Sequence, residues 1–128
     1  MMYELKVKTH FDAAHKLTHY KGKCSEEHGH TWYVEVCLQS EILGSYNMLV
    51  DFKDVKGILN LLLEEYLDHH FINKTLHEED PTAEYLTKWI FGKFSSKLFP
   101  EFWPNVTLTY VTVWESPDCC VTYSESTH

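Results

Sequence analysis

Apolar and polar side chains alternate along the N-terminal part of the chain. One set comprises Tyr3, Leu5, Val7, Thr9, Phe11 and Ala13, and the polar set between them comprises Glu4, Lys6, Lys8, His10 and Asp12. A period of two places successive side chains on opposite faces of a β-strand. The pattern therefore predicts a strand with one buried face, and His15 continues the parity of that face where the strand ends.

A second strand is predicted at about His30 to Gln39, followed by a turn over residues 40–47. Its two faces also alternate, because bulky apolar residues recur at every second position. They are Trp32, Val34, Val36 and Leu38. The segment Val106 to Trp114 and the segment Cys119 to Tyr123 are rich in β-branched and aromatic residues, which predicts a second hairpin.

Two helices are predicted between these hairpins, because apolar residues recur there with a helical period. The first helix ends near Leu67 and has a stripe formed by Val55, Ile58, Leu59, Leu62, Leu63, Tyr66 and Leu67. The second is predicted to begin around Asp80-Pro81-Thr82, with Asp80 as the N-cap and Pro81 at the first helical position. Its stripe comprises Ala83, Leu86, Ile90, Phe94 and Leu98.

The predicted order is strand, strand, helix, helix, strand, strand. Two antiparallel hairpins with both helices between them indicate an α+β fold, in which both helices cover one face of an antiparallel sheet. A sheet of four strands has two exposed edges, which favours association of subunits through those edges. The length of 128 residues suits one domain that occupies residues 1–128.

Composition and charge narrow the class of protein. Hydrophobic residues make up 44% and charged residues 23% of the chain, which is an ordinary globular balance. The formal net charge of −8 argues against nucleic-acid binding. No apolar run is long enough for a membrane span, and the N-terminus has no secretory h-region, so a cytoplasmic location and no membrane partner are predicted. The four cysteines do not resemble a disulfide framework, which agrees with a reducing compartment.

A thiol and two imidazoles lie close together in Cys24-Ser-Glu-Glu-His28-Gly29-His30. If the second strand already begins at His28, the two imidazoles project from one face with Cα atoms about 6.5 Å apart. Such a pair suits Zn²⁺, and a catalytic zinc site has three protein ligands and an open position. The third ligand is either Cys24 or His15, which meets the other two histidines if the first two strands pair antiparallel.

Four residues outside the histidine cluster are candidates for catalysis or substrate binding. Asp68 directly precedes His69, and a carboxylate that binds one ring nitrogen fixes the imidazole tautomer for proton transfer at the other nitrogen. Cys24 lies among polar residues, where a thiolate is a competent base or nucleophile. Glu115 ends an apolar segment, and its carboxylate suits bidentate hydrogen bonding to a guanine-like ring edge.

These motifs together resemble the 6-pyruvoyltetrahydropterin synthase and 6-carboxytetrahydropterin synthase family. The resemblance extends over nearly the whole chain in six pieces. They are Phe11-Asp-Ala-Ala-His15, Cys24 with His28-Gly-His30, Val50-Asp-Phe52, Leu67-Asp-His69 with Asn73, Pro81-Thr-Ala-Glu84, and Val113-Trp-Glu115. Asp80 stands where the family often has Asn, and Ile72 replaces the commoner Leu before Asn73.

The resemblance implies roles for the candidate residues. It implies that His15, His28 and His30 bind Zn²⁺, that Cys24 is a catalytic thiol and not a ligand, and that Asp68 and His69 complete the acid–base machinery. It also implies that Glu115 anchors the pterin ring. The implied fold is the tunnelling fold, or T-fold, in which subunits form a barrel and two rings stack. A homohexamer, a dimer of trimers with active sites between subunits, is then expected.

The family substrate implied by this resemblance is 7,8-dihydroneopterin triphosphate. The short spacing between Cys24 and His28 resembles the members that form 6-carboxy-5,6,7,8-tetrahydropterin in queuosine (7-deazaguanine) synthesis and release acetaldehyde and triphosphate. Pyruvoyl-forming and hydroxymethylpterin-forming relatives remain alternatives. An alternative of another class is a non-catalytic zinc- or pterin-binding module, in which Cys24 is the fourth ligand of a closed structural site.

Overall fold

The computed structural model describes residues 1–98 and 103–125, except for the side chain of Leu98. The predicted contribution of Leu98 to the helix stripe therefore lies outside the described residues. A four-stranded antiparallel sheet has the order β1-β2-β3-β4. The strands are β1 Tyr3–His15, β2 His28–Ser40, β3 Thr107–Ser116 and β4 Cys119–Ser124. The predicted order of elements and the α+β class are confirmed.

The helices are α1 Phe52–Tyr66, α2 Ile72–Thr75 and α3 Ala83–Leu98. Helix α1 begins earlier than its apolar stripe indicates, because Asp51 caps it by accepting a hydrogen bond from the backbone N–H of Lys53 at 2.8 Å. Helix α2 is a single short turn that hydrophobic periodicity did not predict, since four residues are too few to show a helical period.

The prediction of Asp80 as N-cap of the second long helix, with Pro81 as its first residue, is wrong. The helix begins at Ala83, and the hydroxyl of Thr82 accepts from the backbone N–H of Tyr85 at 3.1 Å, as an N-cap does. The Asp80 carboxylate instead accepts from the backbone N–H of His19 at 3.0 Å and lies 2.6 Å from the His19 ring. The Asp80 carboxylate, which the sequence pattern assigned to the helix N-terminus, thus binds His19, a residue distant in sequence.

The core lies between the sheet and the helices. Most of the alternate residues of β1 and β2 that were predicted to share a buried face are buried in one cluster with the apolar stripes of α1 and α3. The prediction is wrong for Tyr3, the first residue of β1, which is 50% exposed, and Ile58 and Tyr66 of the α1 stripe are only partly buried. Trp32 and Phe11 are 0% and 1% exposed, and their rings stack with centroids 5.9 Å apart. The opposite face of β1, which includes Lys6, Lys8 and His10, is exposed. The prediction that the helices cover one sheet face is confirmed.

The described helices α1 to α3 do not combine the length and the apolar character that a membrane span requires. The cytoplasmic location predicted from the sequence stays a prediction.

Candidate metal centre and proton-transfer groups

Three histidines converge where β1 ends and β2 begins. Strand β2 begins at His28, and the antiparallel register pairs His15 with His28 and Ala13 with His30. Directly paired residues and residues two apart project to the same face of a sheet. The ring centroids are accordingly 4.6 Å apart for His15 and His28, and 4.8 Å apart for His28 and His30.

Backbone carbonyls determine the tautomer of two of these rings. The Nδ1 atom of His15 lies 2.9 Å from the Pro81 carbonyl oxygen, and that of His28 lies 2.7 Å from the Glu26 carbonyl oxygen. A carbonyl can only accept, so each Nδ1 carries the proton and donates. In the neutral rings, the Nε2 atoms of His15 and His28 therefore carry the lone pairs, which is the state in which an imidazole binds a metal ion.

The site is partly withdrawn from water. His15 is 1% exposed, and burial lowers its pKa below the ordinary value of an imidazole. Burial also lowers the pKa of His30. The fully buried Trp32 borders both rings, with its ring centroid 4.9 Å from that of His15 and 5.2 Å from that of His30. The environment thus favours neutral imidazoles, as metal binding requires.

Glu115 reaches into this cluster from β3. Its Oε1 atom lies 3.2 Å from the Nε2 atom of His15 and 3.1 Å from that of His30. A β-bulge causes Glu115 to be unpaired in the β3–β4 ladder, since Trp114 pairs with Cys120 and Ser116 with the adjacent Cys119. Bulges redirect side chains, and this one directs a carboxylate to the end of the sheet where the histidines meet.

His15, His28, His30 and Glu115 form a group whose potential ligand atoms all lie within 4.8 Å of one another. The donor set of imidazole nitrogens and a carboxylate oxygen fits Zn²⁺. Moreover, the Nε2 atoms of His15 and His30 are buried and have no hydrogen-bond partner. Buried polar atoms without a partner are costly, and a cation at this point satisfies them. The residues present therefore fit a bound metal ion.

Cys24 lies in the connection between β1 and β2, within a 3₁₀ turn over Lys23–Ser25. Its thiol is free and half-buried, and its carbonyl oxygen accepts from the backbone N–H of Leu17 at 2.7 Å. Among the described residues, Cys24 belongs to neither group of potential metal ligands. The arrangement consequently differs from the closed site in which Cys24 completes the ligand set.

Asp68 and His69 follow α1 and contact the outer edge of β1. The Asp68 carboxylate lies 3.0 Å from Nδ1 of His69 and accepts from the backbone N–H of Asp12 at 2.9 Å. The His69 backbone N–H in turn donates to the Asp12 carbonyl at 2.6 Å. The backbone hydrogen bond from Asp12 is the main cause that lowers the pKa of Asp68, so the carboxylate is ionised at neutral pH.

The His69 ring is oriented by a strained backbone and by that carboxylate. His69 has φ of 61°, in the left-handed region that few non-glycine residues adopt. Its side chain is 79% exposed, and the Nε2 atom is the ring nitrogen left for another partner when Nδ1 faces Asp68. Asp12 and the candidate metal ligand His15 both lie on β1, so one strand supports both groups.

Sequence reasoning missed the residues that hold the connections in place. The side chain of Asn73 accepts from the backbone N–H of Lys16 at 2.9 Å and donates to the carbonyls of Lys16 and Glu79 at 2.9 and 3.0 Å. The His19–Asp80 contact joins the same two segments. The segment that carries Cys24 is thus attached to the segment whose Pro81 carbonyl orients His15. Asn73 did appear among the family motifs, but its role could not be predicted, because its partner Lys16 is far from it in sequence.

The fold and the site define the class of this protein as an antiparallel α+β protein with a candidate metal centre at one end of its sheet. The sequence profile of the 6-pyruvoyl tetrahydropterin synthase family matches residues 4–126. The chain belongs to this family, and the T-fold of the subunit that the resemblance predicted is confirmed. The barrel of several subunits stays a prediction.

Individual relatives agree with this assignment. The 6-carboxy-5,6,7,8-tetrahydropterin synthase of Synechocystis is 37% identical over 94 residues, which are 70% of this chain and 73% of that protein. The dihydroneopterin monophosphate aldolase of Pyrococcus furiosus is 33% identical over 82% of each chain. The solved structure of Caenorhabditis elegans 6-pyruvoyl tetrahydropterin synthase has a TM-score of 0.84 and 25% identity, covering 98% of this chain and 97% of that one. The prediction that this chain is an enzyme of the lyase type is confirmed by the 6-carboxy-5,6,7,8-tetrahydropterin synthases among its relatives.

Proposed function

We propose that this protein converts 7,8-dihydroneopterin triphosphate to 6-carboxy-5,6,7,8-tetrahydropterin in a zinc-dependent reaction that releases acetaldehyde and triphosphate. The observation that carries the proposal is the cluster of His15, His28 and His30 with two Nε2 lone pairs set by backbone carbonyls. Seven relatives, among them the Synechocystis protein, are named for the carboxy-forming reaction, one of them as putative.

The three histidines are proposed to hold the metal, and they fit it by donor type and tautomer. A bound Zn²⁺ supplies Lewis-acid chemistry that polarises hydroxyl groups of a substrate and acidifies neighbouring C–H bonds. Trp32 excludes water from the buried side of the rings. The chain itself would bind and orient the metal ion, because the three histidines lie on paired strands whose register is determined by the core.

Cys24 and the Asp68–His69 pair are proposed to move protons. The lowered pKa of Asp68 keeps its carboxylate ionised beside Nδ1 of His69, so the His69 ring is held with Nε2 available to accept a proton. Cys24 is proposed as the second base, acting from the β1–β2 connection. Glu115 is proposed to accept hydrogen bonds from the pterin ring through its carboxylate.

The proposed assembly is a homohexamer, a dimer of trimers, with active sites between subunits. Two observations support it. Strands β1 and β4 lie at the edges of the sheet, where a neighbouring subunit can pair. In addition, within the described part of one chain, Asp68 and His69 belong to a group separate from the three histidines, and Cys24 belongs to neither group. A second subunit would supply the proton-transfer group that one chain alone does not bring to the metal centre.

Product analysis tests the proposal. Zinc-loaded protein is incubated with 7,8-dihydroneopterin triphosphate, the pterins are analysed by mass spectrometry, and acetaldehyde is assayed in parallel. A carboxypterin with stoichiometric acetaldehyde is expected. A pyruvoyl product would assign the triphosphate-elimination reaction instead, and no turnover would favour a zinc- or pterin-binding module.

A second candidate function is formation of a hydroxymethylpterin, as in folate-pathway relatives. The similarity to the Pyrococcus furiosus aldolase, at 33% identity, is the observation that favours it. The same assay distinguishes the two reactions, because cleavage of the aldolase type yields a hydroxymethylpterin and no acetaldehyde.

Replacement of Cys24 separates catalysis from metal binding. The Cys24→Ala variant is expected to keep its zinc and to lose activity by about 10²–10⁴-fold, the usual contribution of a positioned acid or base. The matched control is Cys119→Ala, because Cys119 is a free and exposed thiol on β4. Loss of zinc from Cys24→Ala would contradict the proposed role and support the structural site with Cys24 as fourth ligand.

A further inference from the structure

Glu115 and two histidines direct ligand atoms at one point. The Nδ1 atom of His15 donates to the Pro81 carbonyl at 2.9 Å, so in the neutral ring that binds a metal the Nε2 atom carries the lone pair. This lone pair lies 3.2 Å from Oε1 of Glu115, which is itself an acceptor. Neither the His15 nor the His30 Nε2 atom has a hydrogen-bond partner. Two acceptors that face each other repel, whereas a cation between them binds both.

The carboxylate reaches this place because of the strand that carries it. Glu115 has the same parity along β3 as Val111 and Val113, which are buried on the helix-covered face of the sheet. It is also the extra residue of the β3–β4 bulge. Its side chain is 37% exposed, compared with 2% for His15, so it closes the cluster from the solvent side. The Glu115 side chain can therefore move away from the histidine cluster without disturbing the core.

We propose that Glu115 is the fourth metal ligand of the substrate-free protein and that it is displaced when substrate binds. This inference rests on the proposed function, because it assigns a second role to the residue proposed to anchor the pterin ring. Glu115 would hold a bound metal ion through its carboxylate, and an oxygen of the substrate would take that position, so one ligand bond would be exchanged for another. The released carboxylate is then free to bind the ring. The metal site is closed at rest and opens only for a ligand that offers both an oxygen donor and hydrogen-bond donors for Glu115.

Zinc affinity without substrate tests the inference. Metal-free wild-type protein, Glu115→Ala and Glu115→Gln are titrated with Zn²⁺ against a chromophoric chelator. Each variant is expected to bind zinc at least roughly tenfold more weakly, since even supporting residues around a metal cost that much when removed. The matched control is Glu41→Gln, because Glu41 is an exposed carboxylate after β2. An affinity of Glu115→Ala within twofold of wild type would overturn the inference.

A stability measurement gives a second readout that distinguishes metal ligation from loss of folding. The metal-free Glu115→Gln variant is expected to have a Tm equal to or higher than that of the metal-free wild type, because a side-chain amide can donate to the Nε2 lone pair of His15. Added zinc is expected to raise its Tm less than that of wild type, because stabilisation by a ligand increases with affinity. A lower metal-free Tm together with an undiminished rise on adding zinc would contradict the inference.

Cobalt substitution reports on the ligand set directly. The visible absorption of the Co²⁺-loaded protein is expected to differ between wild type and Glu115→Ala, and identical spectra would contradict Glu115 as a ligand. The outcomes also separate the two proposals. If the wild-type protein binds no zinc, the proposed function itself fails. If wild type and both variants bind zinc equally tightly, only the role of Glu115 fails.

Discussion

The three histidines and the Asp68–His69 pair are held in place by different kinds of structure. The histidines stand on paired strands, and His15 is 1% exposed within a register determined by the core. His69 follows a helix, is 79% exposed in its side chain, and is held by hydrogen bonds to the Asp12 backbone and by the adjacent carboxylate. Sheet geometry thus positions the proposed metal ligands, whereas a few local contacts position the proposed proton-transfer group.

Removal of a strand-borne ligand is expected to have the largest effect. His15→Ala should abolish stoichiometric zinc binding, with a loss of affinity greater than the roughly 100-fold that removal of a supporting group costs. Zinc content after dialysis, measured by elemental analysis, checks this. The matched control is His10→Ala, because His10 lies on the same strand but on its exposed face. Equal zinc content in the two variants would contradict the assigned ligand set.

Replacement of the loop-borne base is expected to reduce turnover and to leave the metal in place. His69→Gln should lower kcat by about 10²–10⁴-fold while zinc content and KM change little. Steady-state kinetics on zinc-loaded protein check this. Because the ring is largely exposed, its removal should not lower the Tm measurably. A large loss of zinc or of stability would show that the two regions are not separable in this way.

The smallest expected effect concerns the contact that holds the segment carrying Cys24. Asp80 raises the pKa of His19 above 6.5, and His19 lowers the pKa of Asp80 below 3.8 through its backbone and side-chain hydrogen bonds. The His19 contribution to stability is therefore fully present below its unfolded pKa and is lost as the pH rises through its higher folded pKa. The Asp80 contribution is present above its unfolded pKa and is lost at lower pH.

Thermal melts at several pH values check this prediction. The Tm difference between wild type and His19→Gln should be greatest between the two unfolded pKa values of 3.8 and 6.5, and should diminish in alkaline solution. The effect is small because both groups are solvated. A double-mutant cycle with Asp80→Asn isolates the pairwise contribution. A Tm difference that is constant with pH would contradict the assigned ion pair.

Much of the fold was accessible from residue patterns. The alternation along β1 and β2 and the stripe of α1 predicted the elements, because burial of one face imposes a period on the sequence. The convergence of His15 with His28 and His30 was also predicted, because in an antiparallel pair the end of the first strand lies beside the start of the second. The cap of α3 was not predictable. Asp80 and Thr82 are both competent caps, and the choice between them depends on His19, which is distant in sequence.

Local period and spacing were enough to predict the strands, the two long helices, the histidine pair on one strand face and the family resemblance. The folded chain was needed to show the tautomer of His15, the approach of Glu115 to the histidines and the absence of Cys24 from the candidate ligand group. These features depend on residues such as Pro81 and Glu115, which are far from His15 in sequence and meet it only when the chain has folded.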